Sequence, residues 1–348
     1  MSTECAGPNR RLTFINICVA YRRYCWVMAL RCGIGWECAM IRLAPVLVGD
    51  SSNLKRLDAG QSAPAMRMKG TKMGFKTILV HIDPGQRCSA RVDLALNLAL
   101  KHDAHLVGLQ VLPPFEPPGY VMAEMGPAII DAQRQVAAAE IARAETEFTK
   151  QATAAGLRNV EWRTAIDDPV DAMTLHARYA DLLVIGQADD SDVSHTPSDF
   201  PERLVLAAGR PVLILPAIGN FASVGKRILV AWSPSREATR AVTDAIPLLR
   251  LADNVHVMAV NPKAGEHGAV AGADIGLYLA RHGVRVEVKT DHGAEIDVGN
   301  ELLSRAADLD ADLIVMGGYG HSRLKEWVLG GATRTILESM TVPVLMSH

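Results

Sequence analysis

The sequence predicts an α/β protein made of two tandem doubly wound parallel-sheet domains. Three observations lead there. From residue 74 onward, short apolar runs alternate with segments of helical periodicity. The order of these elements occurs twice. The two occurrences share three anchor segments in the same sequence. Alternating strands and helices imply a parallel sheet covered on both faces.

Thr77–Ile82 (TILVHI) is a continuous apolar run closed by Asp83-Pro84-Gly85, as a buried parallel strand should be. Ser89–His102 places Val92, Leu94, Ala95, Leu98 and Ala99 at helical spacing. His105–Leu112 is a second strand ended by Pro113-Pro114, and an Ala-rich helix from about Ala128 to Ala155 stops at Gly156. Strand Val160–Ala165, helix Pro169–Tyr179, strand Leu182–Ile185, a helix near Pro201–Ala208 and strand Pro211–Leu215 complete the first set.

The second set repeats the first. Lys76-Thr77-Ile78-Leu79-Val80 matches Lys226-Arg227-Ile228-Leu229-Val230. Ala180-Asp181-Leu182-Leu183 matches Ala311-Asp312-Leu313-Ile314, and Arg210-Pro211-Val212-Leu213 matches Val342-Pro343-Val344-Leu345. The offset is 226 − 76 = 150 at the first anchor and 311 − 180 = 131 at the second, so the first copy holds 19 extra residues. They are expected around Pro113–Gln133. The domains are expected at 74–216 and 225–348, with the apolar last strands Pro211–Leu215 and Thr341–Met346 pairing the copies as an intramolecular pseudo-dimer. A homo-oligomer is the further expectation.

Residues 1–72 match neither copy. They carry 11 Lys/Arg against 4 Asp/Glu, whereas the rest carries 25 against 34. Five of the six cysteines lie there, none in a C-x-x-C pair. The apolar stretch Phe14–Val48 is broken by Arg22, Arg23, Arg31 and Arg42, so no bilayer-spanning run is present. A disordered N-terminal extension is expected, with Met73 directly before the first strand. The acidic, thiol-poor remainder leads to a cytoplasmic protein with no nucleic-acid and no membrane partner as the expectation.

No G-x-S-x-G elbow, H-E-x-x-H helix, G-x-x-x-x-G-K-[ST] loop or paired metal-ligand run occurs, so neither catalytic nor metal residues are assigned. The segment Val315–Gly331 (VMGGYGHSRLKEWVLGG) is the most specific one. It places Gly317, Gly320 and Gly330 in a strand–loop–helix setting, where glycines let backbone N–H groups approach an anion. The following helix would add its positive N-terminus.

This pattern resembles the universal stress protein family, whose signature is G-x-x-G, nine residues, then G and Ser or Thr. The resemblance covers residues 74–348 and implies Rossmann-like domains of the universal stress protein type. It also implies ATP held at the glycine loop, with an Asp after the first strand on the ribose hydroxyls. Each copy departs from the pattern. The first keeps Asp83, but Gly186 is followed by Gln187-Ala188-Asp189-Asp190-Ser191-Asp192, whose carboxylates repel phosphate. The second keeps the glycines, but Gly331 stands in the hydroxyl position and Ser233 in the carboxylate position. Candidate binding residues are thus Gly317, Gly320, His321, Gly330, Gly331, Ser233 and Asp83, with ATP binding weak or lost and centred on the C-terminal copy. His321 reaches a phosphate or faces solvent, and Asp83 binds ribose or merely forms the Asp-Pro-Gly turn. Trp232 stacks on a base or fills the core, and His81 is a core histidine. Cys88, at a helix start, has no resolving partner nearby.

The resemblance implies a non-catalytic stress-response module. A nucleotide-dependent switch or slow ATPase, and a protein-interaction scaffold with vestigial sites, are the alternatives.

Overall fold

In a computed structural model, residues 74–115, 127–188, 196–262, 272–291, 297–319 and 331–348 are described. The extension over 1–72 and the loop residues Asp189, Asp190, Asp192, Gly320, His321 and Gly330 lie outside the described residues. The first copy runs β1 (Thr77–Ile82), α1 (Cys88–His102), β2 (His105–Leu112), α2 (Pro127–Ala155), β3 (Val160–Ile166), α3 (Pro169–Ala177), β4 (Leu182–Gly186), α4 (Phe200–Ala207) and β5 (Val212–Leu215). The second runs β6 (Arg227–Ala231), α5 (Arg236–Leu249), β7 (Asn254–Val260), α6 (Ala273–Arg281), β8 (Val286–Asp291), α7 (Val298–Asp308), β9 (Leu313–Gly317), α8 (Gly331–Ser339) and β10 (Val344–Ser347).

The strands join in one sheet of order β3-β2-β1-β4-β5-β10-β9-β6-β7-β8. Neighbours within each copy are parallel. The copies meet where β5 and β10 pair antiparallel, Leu213 opposite Leu345. Each copy therefore covers the edge that the other would leave open. Apolar residues of both copies fill a continuous core on each sheet face. Val80, Leu213, Val230 and Leu345 lie on one side, and Leu183, Ile214, Ile314 and Met346 on the other.

The repeated Ala-Asp-Leu anchor has a physical reason. The Asp181 carboxylate accepts the backbone N–H groups of Lys76 (2.6 Å) and Thr77 (3.0 Å) at the start of β1. Asp312 does the same for Gly225, Lys226 and Arg227 at the start of β6. A carboxylate ahead of the fourth strand of each copy thus fixes the entry of the first, aligning the two strands whose far ends frame the site.

Helix starts follow local chemistry. Asp168 accepts from Val170 and Asp171 with Pro169 in the first turn of α3, and Asp297 accepts from Gly299 and Asn300 in α7. Among the described residues the first copy is longer in α2, 29 residues against 9 in α6. Helix α2 begins at Pro127, inside the stretch expected to hold the insertion. Its Phe148 ring packs on Gly108 of β2, where an added Cβ would come within 3.0 Å of the ring.

Candidate functional site

In a doubly wound sheet the ligand crevice lies beyond the strand C-termini where the winding reverses. Those points are β1/β4 in the first copy and β6/β9 in the second.

In the second copy Gly317 ends β9 beside β6, Ala231 pairing with Met316. A Cβ on Gly317 would lie 2.5 Å from the backbone nitrogen of Ala238 and 2.6 Å from the carbonyl carbon of Glu237. The glycine is therefore required by the close approach of helix α5. Two loop N–H groups are engaged internally: Gly318 donates to the Ser347 carbonyl (2.9 Å), and Tyr319, at φ 57°, donates to Thr333 Oγ1 (3.3 Å). Gly331 opens α8, and a Cβ there would stand 3.5 Å from Asp297 Oδ1. A hydroxyl residue in that position would face a carboxylate. Ser233 is exposed after β6, its Oγ 3.0 Å from that of Ser235, which caps α5 through Ala238 N–H. The structure thus places Ser233 and Gly317 at the adjacent ends of β6 and β9. Trp232 is half-buried and packs against the core, as the core-filling alternative requires.

The first copy is arranged differently. Arg91, on the first turns of α1, is 3% exposed. Its Nη2 donates to Asp83 Oδ2 at 2.6 Å and its Nε to the His81 carbonyl at 2.8 Å. A Cβ on Gly186 would fall 2.5 Å from Arg91 Nη1, so the guanidinium occupies the space between the ends of β1 and β4. Asp83 also closes its own turn by accepting from Gly85 N–H (3.0 Å). Its carboxylate is thus committed to an internal cation and a turn.

The cavity left around His81, Asp83, Arg91, Gly186 and Phe200 is about 50 Å³. Small-molecule sites usually enclose about 300–1,000 Å³. A nucleotide does not fit. Arg87 ties the chain past β5 across this end, donating to the carbonyls of Ala217 (2.5 Å) and Gly219 (3.0 Å).

The electrostatics agree. Burial opposes charge on Asp83, but Arg91 and then His81 outweigh it and hold the carboxyl below its usual range. Burial pushes His81 down to about 4, partly countered by Asp83. Burial also raises the Cys88 thiol, the opposite of what a reactive thiolate needs. His81 is a buried core histidine, its ring 5.0 Å from that of Phe200.

Sequence reasoning passed over two residues here. Arg91 looks like an ordinary helix-surface cation until β1 brings Asp83 beside it. Gln187, first residue of the altered loop, donates to the carbonyls of Leu337 (2.7 Å) and Glu338 (3.2 Å) in the second copy and accepts from Ala217 N–H (2.9 Å). No signal within its own segment points to a partner 150 residues away. Among the described residues no cluster of His, Cys, Asp or Glu could hold a metal ion, and no helix is long and apolar enough to cross a membrane.

The model of the universal stress protein family matches residues 74–216 and 225–348. The chain is 28% identical over 172 residues to universal stress protein Slr1230 of Synechocystis sp. (strain ATCC 27184 / PCC 6803 / Kazusa). That match covers 47% of this chain and 57% of the relative, so it spans little more than half the relative's length. A universal stress protein structure from Archaeoglobus fulgidus DSM 4304 superposes with a TM-score of 0.60 at 16% identity, covering 78% of this chain and 95% of that one. At that identity the likeness concerns the fold.

Proposed function

The chain belongs to the universal stress protein family, and from that premise we propose that it is a non-catalytic stress-response module in which any nucleotide binds the C-terminal copy alone. The carrying observation is the Arg91–Asp83 pair. It fills the first copy's crevice and uses the carboxylate that the family pattern assigns to ribose. In the second copy Ser233 and Gly317 stand at the ends of β6 and β9, with Gly320, His321, Gly330 and Gly331 assigned from the sequence. Backbone N–H groups and a helix start hold phosphate without help from any side chain. Ribose selectivity is poor because Ser233 lacks a carboxylate's grip, and phosphate is held weakly because Asp297 stands beside the start of α8. ATP is therefore a weak ligand rather than a substrate.

Calorimetric titration of the full chain with ATP and its diphosphate tests this. Weak binding is expected, lost in Gly320→Val and kept in Asp83→Asn, with no phosphate released on prolonged incubation. Turnover of ATP would move the reading to the slow-ATPase alternative. A chain that binds no nucleotide even at millimolar concentration favours the interaction scaffold. That second reading has Gln187 on its side, a loop residue turned from a ligand role to joining the copies.

A further inference from the structure

The loop that leaves β9 leans on the first copy. Gly318 is buried, and a Cβ built on it would come within 2.8 Å of Val205 Cγ1, on α4. A side chain at 318 would have to displace Val205. Tyr319 is half-buried and packs against the core on the α4 face of the sheet. Its hydroxyl is hidden from solvent and makes no formed hydrogen bond. The acid beside it is Glu202 of α4, which adds to burial in raising the phenol above its ordinary range. Burial raises the Glu202 carboxyl as well, while Arg334 of α8 favours its ionised form.

A second line of bonds reaches the same loop. Arg240 of α5 donates from Nη2 to the carbonyl of Gly209, just past α4, and from Nη1 to that of His348 (3.1 Å). The His348 ring donates from Nδ1 to the Gly318 carbonyl (3.0 Å), and the Gly318 N–H donates to Ser347 (2.9 Å). Gln187 is the third link, at the last turn of α8. Within the second copy, the bond from Tyr319 N–H to Thr333 Oγ1 ties the loop start to the first turn of α8. Both ends of the glycine loop therefore sit in a frame to which the first copy contributes. Backbone donors hold an anion only when aimed, since a hydrogen bond weakens steeply with distance and angle.

We propose that Glu202 and Val205 of the first copy are positioning residues for the second copy's glycine loop, so that a phosphate bound there is felt at α4. This rests on the nucleotide reading of the second copy. It gives the first copy, whose own crevice Arg91 fills, a part in its neighbour's site. Linkage makes the effect reciprocal: whatever α4 adds to phosphate affinity, bound phosphate adds to the stability of the α4 contact.

The test is amide hydrogen exchange and calorimetric titration with ATP on the full chain and its variants. In Glu202→Ala and Val205→Ala, exchange at the Tyr319 N–H should rise about tenfold, and ATP should bind about threefold to tenfold more weakly. Glu202→Gln keeps an acceptor for the Tyr319 hydroxyl and should restore most of the affinity. Arg203→Ala, next on α4 but paired with Asp168 (3.5 Å) and Asp199 (3.9 Å) inside the first copy, should change neither quantity. Added ATP should slow exchange along α4 of the wild-type chain. Glu202 is only half-buried, so its variants test the role even if Val205→Ala fails to fold. Wild-type ATP affinity in Glu202→Ala, or an equal loss in Arg203→Ala, would overturn the proposal and leave the nucleotide reading standing. Absence of ATP binding to the wild-type chain at about 10 mM would remove that reading, and the positioning role with it.

Discussion

The Arg91 guanidinium stands 2.6 Å from the Asp83 carboxylate, at the one place in the first copy where the winding of the sheet reverses. Both groups are nearly hidden from solvent, with side-chain exposures of 4% and 12%. Breaking a buried pair from one side leaves an uncompensated charge and costs about 3–5 kcal/mol, whereas removing both partners costs much less. Arg91→Met should therefore destabilise the chain by about that amount in urea unfolding, and Arg91→Met with Asp83→Asn should recover a large part of it. Equal stability of the single and double variants would show that the two groups do not interact.

Acid should weaken the fold through its buried histidines. His81 and His102 are both held near 4 when folded, each mainly by burial, against an ordinary value of 6.5. Between those values the unfolded chain binds protons that the folded chain refuses, so stability falls as pH drops from 6.5 toward 4 and is flat above. Each histidine contributes about 2 kcal/mol of loss by pH 5. Asp83, whose folded carboxyl lies below its usual range, adds a loss only at lower pH still. Urea midpoints at pH 7 and pH 5 check the slope, which His81→Gln should reduce.

The carboxylate at the head of each fourth strand should matter to stability. Asp312 accepts three backbone N–H groups and Asp181 two. Replacement by Ala leaves those donors to partly shielded water and should cost about 1–3 kcal/mol, more at Asp312 than at Asp181. Thermal melts of Asp312→Asn, which keeps an acceptor, should fall between wild type and Asp312→Ala.

Gln187 joins the copies through a single side chain. Its replacement by Ala should raise hydrogen exchange at the C-terminal end of α8 and cost about 1 kcal/mol, with the β5–β10 ladder still protected. Exchange unchanged throughout α8 would mean that the contact holds nothing in place.

The architecture was legible because it is written in periodicity. Short apolar runs closed by turn residues, such as Thr77–Ile82 before Asp83-Pro84-Gly85, read as buried strands, and the doubled Ala-Asp-Leu anchor marks two copies. The pairing of β5 with β10 followed from two short apolar strands, each left at an edge. The site was less legible. Gly317 reads as part of a phosphate loop, yet the structure shows that α5 would tolerate no other residue there. The Arg91 plug depends on a guanidinium crossing from helix to strand end, and a helical pattern assigns an isolated cation to the surface.

The most direct test of a closed first copy and a receptive second one is photolabelling of the full chain with azido-ATP, followed by peptide mapping. Labelled peptides should come from residues 225–348, be suppressed by excess ATP, and include none carrying Asp83 or Gly186. Competable labelling of the peptides that carry Asp83 and Gly186 would contradict it, because a nucleotide could reach them only where the guanidinium of Arg91 now lies.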